Sequence, residues 1–363
     1  MSEVETDLSL EQALDTEGRQ LLYDLVATPS PSGEETAAAQ VLIDFFEEHD
    51  REVWLDDVGN VRAPANDEIL LTSHIDTVPG EIPVEVRADP GVYDEGPTLW
   101  GRGSVDATGP LAAMAVAAVE TGVSFIGVVG EEVDSRGARH VVDEGRDAPG
   151  AVINGEPSGW DGITLGYRGL LAGTYVATSE SGHTSRPDNN AIQDGIDWYK
   201  RVESTFADDE WTPVFEQVTC KPVSFEGGTT DDGLSVEATM EIQLRVPPEY
   251  GLEEVREIAD AELDVGTVRW YDEVPPVMTS PRTAVARAFR AAIRGQDGDP
   301  RLLRKTGTSD MNIFSSVWNC PMATYGPGDS DLDHAPNEHV SLPEFDRSVA
   351  VLEGVCTRLI ENQ

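Results

Sequence analysis

The sequence predicts an α/β protein: a mainly parallel sheet with helices on both faces, interrupted by a compact α+β insert. Three observations lead there. Short apolar runs alternate with segments of helical spacing through the first half of the chain and again at its end. From about Gly166 this texture gives way to a strand-rich stretch. A chain of 363 residues also exceeds the size at which one core keeps growing, so two domains are expected. Their bounds are residues 1–165 with 276–363, and an insert at 166–275.

Each element has its own signal. Thr16–Ala27 and Glu34–Glu48 have helical apolar spacing, separated by a Pro-Ser-Pro-Ser-Gly turn at Pro29–Gly33. Strands are expected at Glu52–Leu55, Asn60–Ala63 and the apolar Glu68–Ser73. An alanine-rich helix, Pro110–Thr121, precedes strand Val123–Gly130, helix Gly137–Gly145 and strand Gly150–Asn154. In the insert, strand Gly169–Thr178, helix Ala191–Phe206, strands Val214–Phe225 and Leu234–Arg245, helix Leu252–Leu263 and strand Val265–Tyr271 follow the β-α-β-β-α-β order of a ferredoxin-like unit. Helices Thr283–Arg294 and Pro343–Glu361 close the chain.

Charge narrows the setting. Sixty-eight acids against 25 bases give −43, and only three of the bases are lysines (Lys200, Lys221, Lys305). Apolar runs interrupt the acids, so the pattern reads as a folded protein with a carboxylate-covered surface. Such self-repulsion requires screening, with a Debye length of about 3 Å at 1 M salt. That implies a salt-rich cytoplasm such as haloarchaea maintain, and makes nucleic acid and anionic membranes poor partners. Cys220, Cys320 and Cys356 are odd in number and widely spaced, as expected of free thiols in a reducing compartment. Met1–Gln12 has neither a basic nor an apolar region, and no run approaches about 18 apolar residues, so a signal peptide and a membrane span are not expected. The expected location is cytoplasmic.

Ligand sites in open parallel sheets gather at the carboxyl ends of strands. His74, Glu131-Glu132 and Glu156 each lie just past such an end. Imidazole and carboxylate are zinc ligands, and two metals sharing a water lower its pKa and polarise a carbonyl. Asp76 offers His74 an orienting carboxylate; alternatively, His74 is a strand-end histidine with a local cap. Asp106 follows a turn-prone Gly101-Arg102-Gly103 segment and reads as a short ligand or as a helix N-cap. Adjacent acids such as Glu131 and Glu132 suit a ligand beside a base, or a solvated turn. His183 reads as an oxyanion donor or a surface residue, and His334 as a loop-borne ligand.

In this order, His74-x-Asp76, Gly101-Arg102-Gly103-x-x-Asp106, Glu131-Glu132, Glu156 and His334-x-x-Asn337-Glu338 resemble the co-catalytic zinc deacylases and exopeptidases, over nearly the whole chain. These include acetylornithine deacetylase, succinyl-diaminopimelate desuccinylase, aminoacylase and glutamate carboxypeptidases. The resemblance implies two zinc ions per subunit, with cobalt as a substitute, bridged by Asp106. His74 and Glu156 would complete one metal and Glu132 and His334 the other. Glu131 would be the general acid/base and Asp76 the orienting residue. His183 would reach the partner's site across a homodimer formed through the insert.

Gly109–Ala112, Gly155–Trp160, Gly166–Gly169 and Lys305–Asn312 are most similar to hydrolases of the amino-group-carrier route to lysine and arginine. This implies release of ornithine or lysine from the C-terminal glutamate of a small acidic carrier protein. Arg245 would bind the substrate carboxylate and Gly307, Thr308 and Ser309 would form a substrate loop. Thr108 stands where relatives carry lysine, and Gly227–Asp231 lacks an asparagine that several relatives use. Alternative readings are an N-acetylornithine or N-acetyl-lysine deacetylase, a dipeptidase or carboxypeptidase, and a non-catalytic carrier-binding scaffold.

Overall fold

The computed structural model describes residues 10–88, 96–185, 187–207 and 211–361. Met1–Gln12, on which the expected absence of a signal peptide rests, thus lies mostly outside them. No helix among the described residues is long and apolar enough to cross a membrane. The chain divides into two compact units: residues 1–165, 279–303 and 309–363, and residues 166–278 with 304–308.

In the first unit the strands run in the order Trp54–Leu55, Val61–Ala63, Val123–Val128, Asn66–His74, Val152–Gly155, Met322–Thr324, Gly162–Tyr167. The parallel part of the sheet is its inner four strands, from Val123–Val128 to Met322–Thr324. Both flanks are antiparallel. Crossovers that contain helices Thr108–Thr121 and Arg136–Asp143 connect Asn66–His74, Val123–Val128 and Val152–Gly155, as parallel pairing requires. Alternate residues explain why both faces are covered. Ile69, Leu71, Phe125 and Ile153 join one core with Leu111 and Met114 of helix Thr108–Thr121. That helix is alanine-rich and buried almost all round, and it stops at Gly122, whose φ of 67° closes the end through its N–H to the Ala118 carbonyl. Helices Arg136–Asp143 and Asp310–Val317 supply further packing; Met311 sulfur lies 3.3 Å from Thr324 Oγ1.

A three-stranded sheet, Glu85–Arg87, Thr98–Trp100 and His339–Ser341, has no counterpart in the expected elements. Three-residue strands are too short to show a period. It pairs His339 with Trp100, whose rings stack with centroids 4.3 Å apart.

The second unit is an antiparallel sheet in the order Thr219–Thr229, Ser235–Val246, Gly169–Glu180, Thr267–Val274. Its core centres on Tyr175 stacked against Trp198, whose indole N–H donates to the Ala259 carbonyl at 3.0 Å. The strand expected from Val214 starts at Thr219, because Val214–Glu216 forms a 3-10 turn after Pro213. Residues 304–308 join this unit through Arg168, which donates to the Thr306 carbonyl at 3.0 Å, and through Arg304, paired with Glu216 at 3.0 Å.

Candidate active site

The first unit gathers seven of the expected residues: His74, Asp76, Asp106, Glu131, Glu132, Glu156 and His334. His74 ends its strand, Glu156 directly follows Val152–Gly155, and Glu131-Glu132 follow Val123–Val128 after Gly130. Gly130 has φ 76° and its carbonyl collects the N–H groups of Asp134 and Ser135, which makes the sharp turn that a side chain would strain. Register explains the convergence: His74 lies opposite Val128, and Ser73 opposite Gly155.

Asp106 is at the centre. Its Oδ1 lies 3.2 Å from His74 Nε2 and its Oδ2 3.1 Å from His334 Nε2. Glu156 Oε1 is 3.9 Å from His74 Nε2, and Glu132 Oε2 is 3.1 Å from His334 Nε2. Two potential ligand sets result, His74–Asp106–Glu156 and Asp106–Glu132–His334, each with its atoms within 4.8 Å of one another. Asp106 belongs to both.

Proton counting indicates that these sets suit cations. His74 Nδ1 lies 2.8 Å from the Asp76 carbonyl, a pure acceptor, so Nδ1 carries a proton. In the neutral ring Nε2 then has a lone pair aimed at the Asp106 carboxylate. Only protonation or a cation relieves that contact. Burial opposes the charged imidazole, yet Asp106, Glu156 and Glu131 outweigh it and push His74 well above its usual range. Asp106 likewise raises His334 to about 9 against the effect of burial. Burial would raise Asp106, but His334 and His74 hold it well below the carboxylate range. Burial and Asp106 push Glu132 up to about 7, and burial and Glu156 push Glu131 well up. Metal ions between these groups would remove the proton competition and leave Glu131 beside the sets as a candidate base. The other His/carboxylate group, Asp56–His140–Glu144, is already served by Arg62, at 2.8 Å from Asp56 and 2.7 Å from Glu144.

Asp76 takes a different place from the one expected. Its carboxylate is 3.8 Å from His74 Nδ1, and its main-chain carbonyl holds the ring instead. The buried carboxylate accepts from the Glu131 N–H at 3.0 Å, the Glu132 N–H at 3.1 Å and the Ser32 hydroxyl at 2.7 Å. It therefore fixes the acidic turn. Position i+2 on a strand end brings the carbonyl, rather than the side chain, back to the ring.

The remaining expected residues fall elsewhere. His183 is exposed in the second unit, with Nδ1 2.8 Å from Ser185 Oγ. Arg245 donates to Thr308 Oγ1 at 3.3 Å within that unit, which also holds Gly307. Ser309 is buried in the first unit at the start of helix Asp310–Val317.

Sequence reasoning assigned no role to Ser32 or Glu338, and Asp310 was read only as the end of the substrate loop that begins at Gly307. Asp310 is buried and pushed up to about 7 by burial, with Asp76 adding to it against the pull of His74. Glu338 is buried and accepts from the Val105 and Asp106 N–H groups. Asp310 and Glu338 stood inside quoted motifs, so position was the available signal. Ser32 stood in a stretch read only as a turn.

A sheet presenting two such ligand sets at its strand ends is the scaffold of a two-metal hydrolase. The chain belongs to peptidase family M20/M25/M40, which it matches over residues 70–358. It is 39% identical to the LysW-lysine hydrolase of Deinococcus radiodurans, covering 94% of this chain and 97% of that protein. It is 37% identical to a putative LysW-lysine/LysW-ornithine hydrolase of Thermococcus kodakarensis, covering 94% and 91%. Among solved structures, a metallo-carboxypeptidase of Sulfolobus solfataricus matches with a TM-score of 0.75 at 18% identity, covering 95% of this chain and 99% of that one. A tripeptidase of Staphylococcus aureus matches with 0.76 at 20% identity, covering 97% and 100%.

Proposed function

We propose that this protein is a metal-dependent amide hydrolase that releases lysine or ornithine from the terminal glutamate of a LysW-type carrier protein. The observation that carries the chemistry is the doubly used Asp106, with each carboxylate oxygen facing a different imidazole. The substrate class rests on the two relatives' names and on matches that span nearly both chains in each case.

In this reading His74, Asp106 and Glu156 would hold one zinc ion and Asp106, Glu132 and His334 the other, with cobalt as a substitute. When bound, the metals supply Lewis acidity toward the amide carbonyl and lower the pKa of water. Glu131, beside the two ligand sets and not part of either, takes the proton of the attacking water and passes it to the leaving amine. Asp76 keeps Glu131 and Glu132 on one turn. Arg245 and Thr308 receive the carboxylate of the departing amino acid, with Gly307 and Ser309 in the same loop.

His183 acts as oxyanion donor from the partner subunit of a homodimer. Its exposure is consistent with action in trans, and Thr219–Thr229, a long and largely exposed edge strand bearing Val223 and Phe225, supports association through the second unit. An acidic surface on both enzyme and carrier means that their encounter improves as salt rises.

The test is a comparison of kcat/KM for carrier-linked lysine, carrier-linked ornithine and N-acetylornithine on zinc-loaded enzyme. The proposal expects the carrier-linked substrates to lead. Preference for N-acetylornithine would make the protein a deacetylase.

A further inference from the structure

We propose that Glu338 is a positioning residue for the metal centre, fixing the Asp106 backbone so that its carboxylate meets both imidazoles. The inference rests on the assignment of Asp106 and His334 as metal ligands.

Glu338 is fully buried, and its carboxylate is engaged on both oxygens. Oε1 accepts from Val105 N–H at 2.9 Å and Asp106 N–H at 3.1 Å. Oε2 accepts from Arg102 Nη1 at 2.8 Å. Arg102 in turn donates to the Gly80 carbonyl at 3.0 Å and the Ala335 carbonyl at 3.3 Å. The loop carrying Asp106 is thereby tied to the segment carrying His334 by charge-assisted bonds.

The strand pairing explains why Glu338 arrives there. Register sets His339 against Trp100, and the Gly101 N–H reaches the Glu338 carbonyl at 3.4 Å. Residues 101–106 then curl around the Glu338 carboxylate. Gly103 permits the curl: its φ is 81°, and a Cβ there would come within 2.6 Å of Thr77 Cγ2 and 2.7 Å of Thr108 Oγ1. His334, four residues earlier on the same segment, adopts φ 59° and directs Nε2 to Asp106 Oδ2. One short segment thus contacts Asp106 twice, through its backbone N–H and through its carboxylate. Without Glu338 two buried N–H groups lose their acceptor, and nothing else described holds the Asp106 amide in that direction.

The test measures zinc affinity of the full-length protein by competition with a chromophoric chelator, independent of any substrate. Groups that orient metal ligands typically contribute 10–100-fold in metal affinity, and Glu338→Ala is expected to weaken zinc by about that factor. Glu338→Gln, which retains Oε1 for both amides, is expected to weaken it less. Glu344→Ala is the control. Glu344 is also buried and accepts from two backbone N–H groups, those of Gly328 and Trp160, but touches no ligand; its loss should lower stability and spare zinc affinity. Where Glu338→Ala does not fold, Glu338→Asp keeps the charge but draws the carboxylate back from the two amides, and should weaken zinc with the circular dichroism unchanged. A folded Glu338→Ala or Glu338→Asp that binds zinc as the wild type does would overturn the inference and leave the hydrolase reading intact. A wild type that binds no zinc would overturn both.

Discussion

Substituting Asp76→Asn separates two roles that this residue could play. The asparagine keeps the size and burial of the side chain but can present only one oxygen. One of the Glu131 and Glu132 N–H groups, now 3.0 and 3.1 Å from a carboxylate oxygen, would face an NH2 donor instead. Loss of one bond to a charged acceptor, with a buried donor left unmatched, costs about 2–3 kcal/mol. Expressed as misplacement of Glu131, that is roughly a 30- to 150-fold fall in kcat, at 1.36 kcal/mol per decade. His74 should be little affected, because its Nδ1 is held by the Asp76 carbonyl at 2.8 Å and not by the carboxylate at 3.8 Å. The assay is kcat and KM on carrier-linked lysine, with zinc content determined in parallel. Zinc retained with kcat sharply reduced is the expected result. Unchanged kcat, or loss of zinc with normal turnover per bound metal, would refute the assignment of Asp76 to the acidic turn.

Other expectations follow from single groups. Glu131→Ala should abolish turnover while both metals stay bound, read by single-turnover kinetics and metal analysis. Glu344 is raised from 4.5 to about 7 by burial. Its folded state binds the proton more tightly than the unfolded chain, so this group's contribution is greatest at low pH and is lost as pH rises from about 4.5 through 7. At roughly 1.4 kcal/mol per unit this amounts to about 3 kcal/mol. Thermal melts of Glu344→Gln should show a flatter decline over that range than the wild type. A net charge of −43 predicts a melting temperature that climbs as KCl rises from 0.1 to several molar. Val223→Lys on the exposed edge strand should shift the protein toward monomer in sedimentation and lower activity if His183 acts across the dimer.

The parts of the site that were legible in the sequence share one property: they sit where a local pattern already dictates geometry. His74, Glu131-Glu132 and Glu156 follow apolar strands, and a parallel sheet brings such ends together. His334 follows no strand; it was read as a loop-borne ligand, and only the resemblance assigned it to a particular metal. Ser32, and Glu338 as an acceptor, were hidden because they act on backbone N–H groups or carboxylates across 44 and more than 230 residues of chain. No spacing rule registers a bond of that kind. In the fold, the long helices and most strands of six or more residues were legible, as was the β-α-β-β-α-β insert, but the glycine-bounded strand Gly162–Tyr167 was not. The three-residue strands at Thr98–Trp100, Met322–Thr324 and His339–Ser341 were not, since tertiary pairing alone makes them strands.

The position of Met322–Thr324 has a consequence for how the protein comes into being. This strand lies between Val152–Gly155 and Gly162–Tyr167, which are close in sequence yet not neighbours in the sheet. Until residue 322 is available the sheet has a gap at its middle, and pairing across it is long-range and slow to form. His334 and Glu338 follow still later. The second unit, built mostly from one continuous stretch with its own core, can fold during synthesis while the first unit waits for its last strand. The ligand set that includes His334 can therefore form only after residue 334 has been made. A nascent chain truncated before residue 322 could still pair the strands that precede Glu131-Glu132 and Glu156 with the one that ends at His74, but it would lack His334 and Glu338.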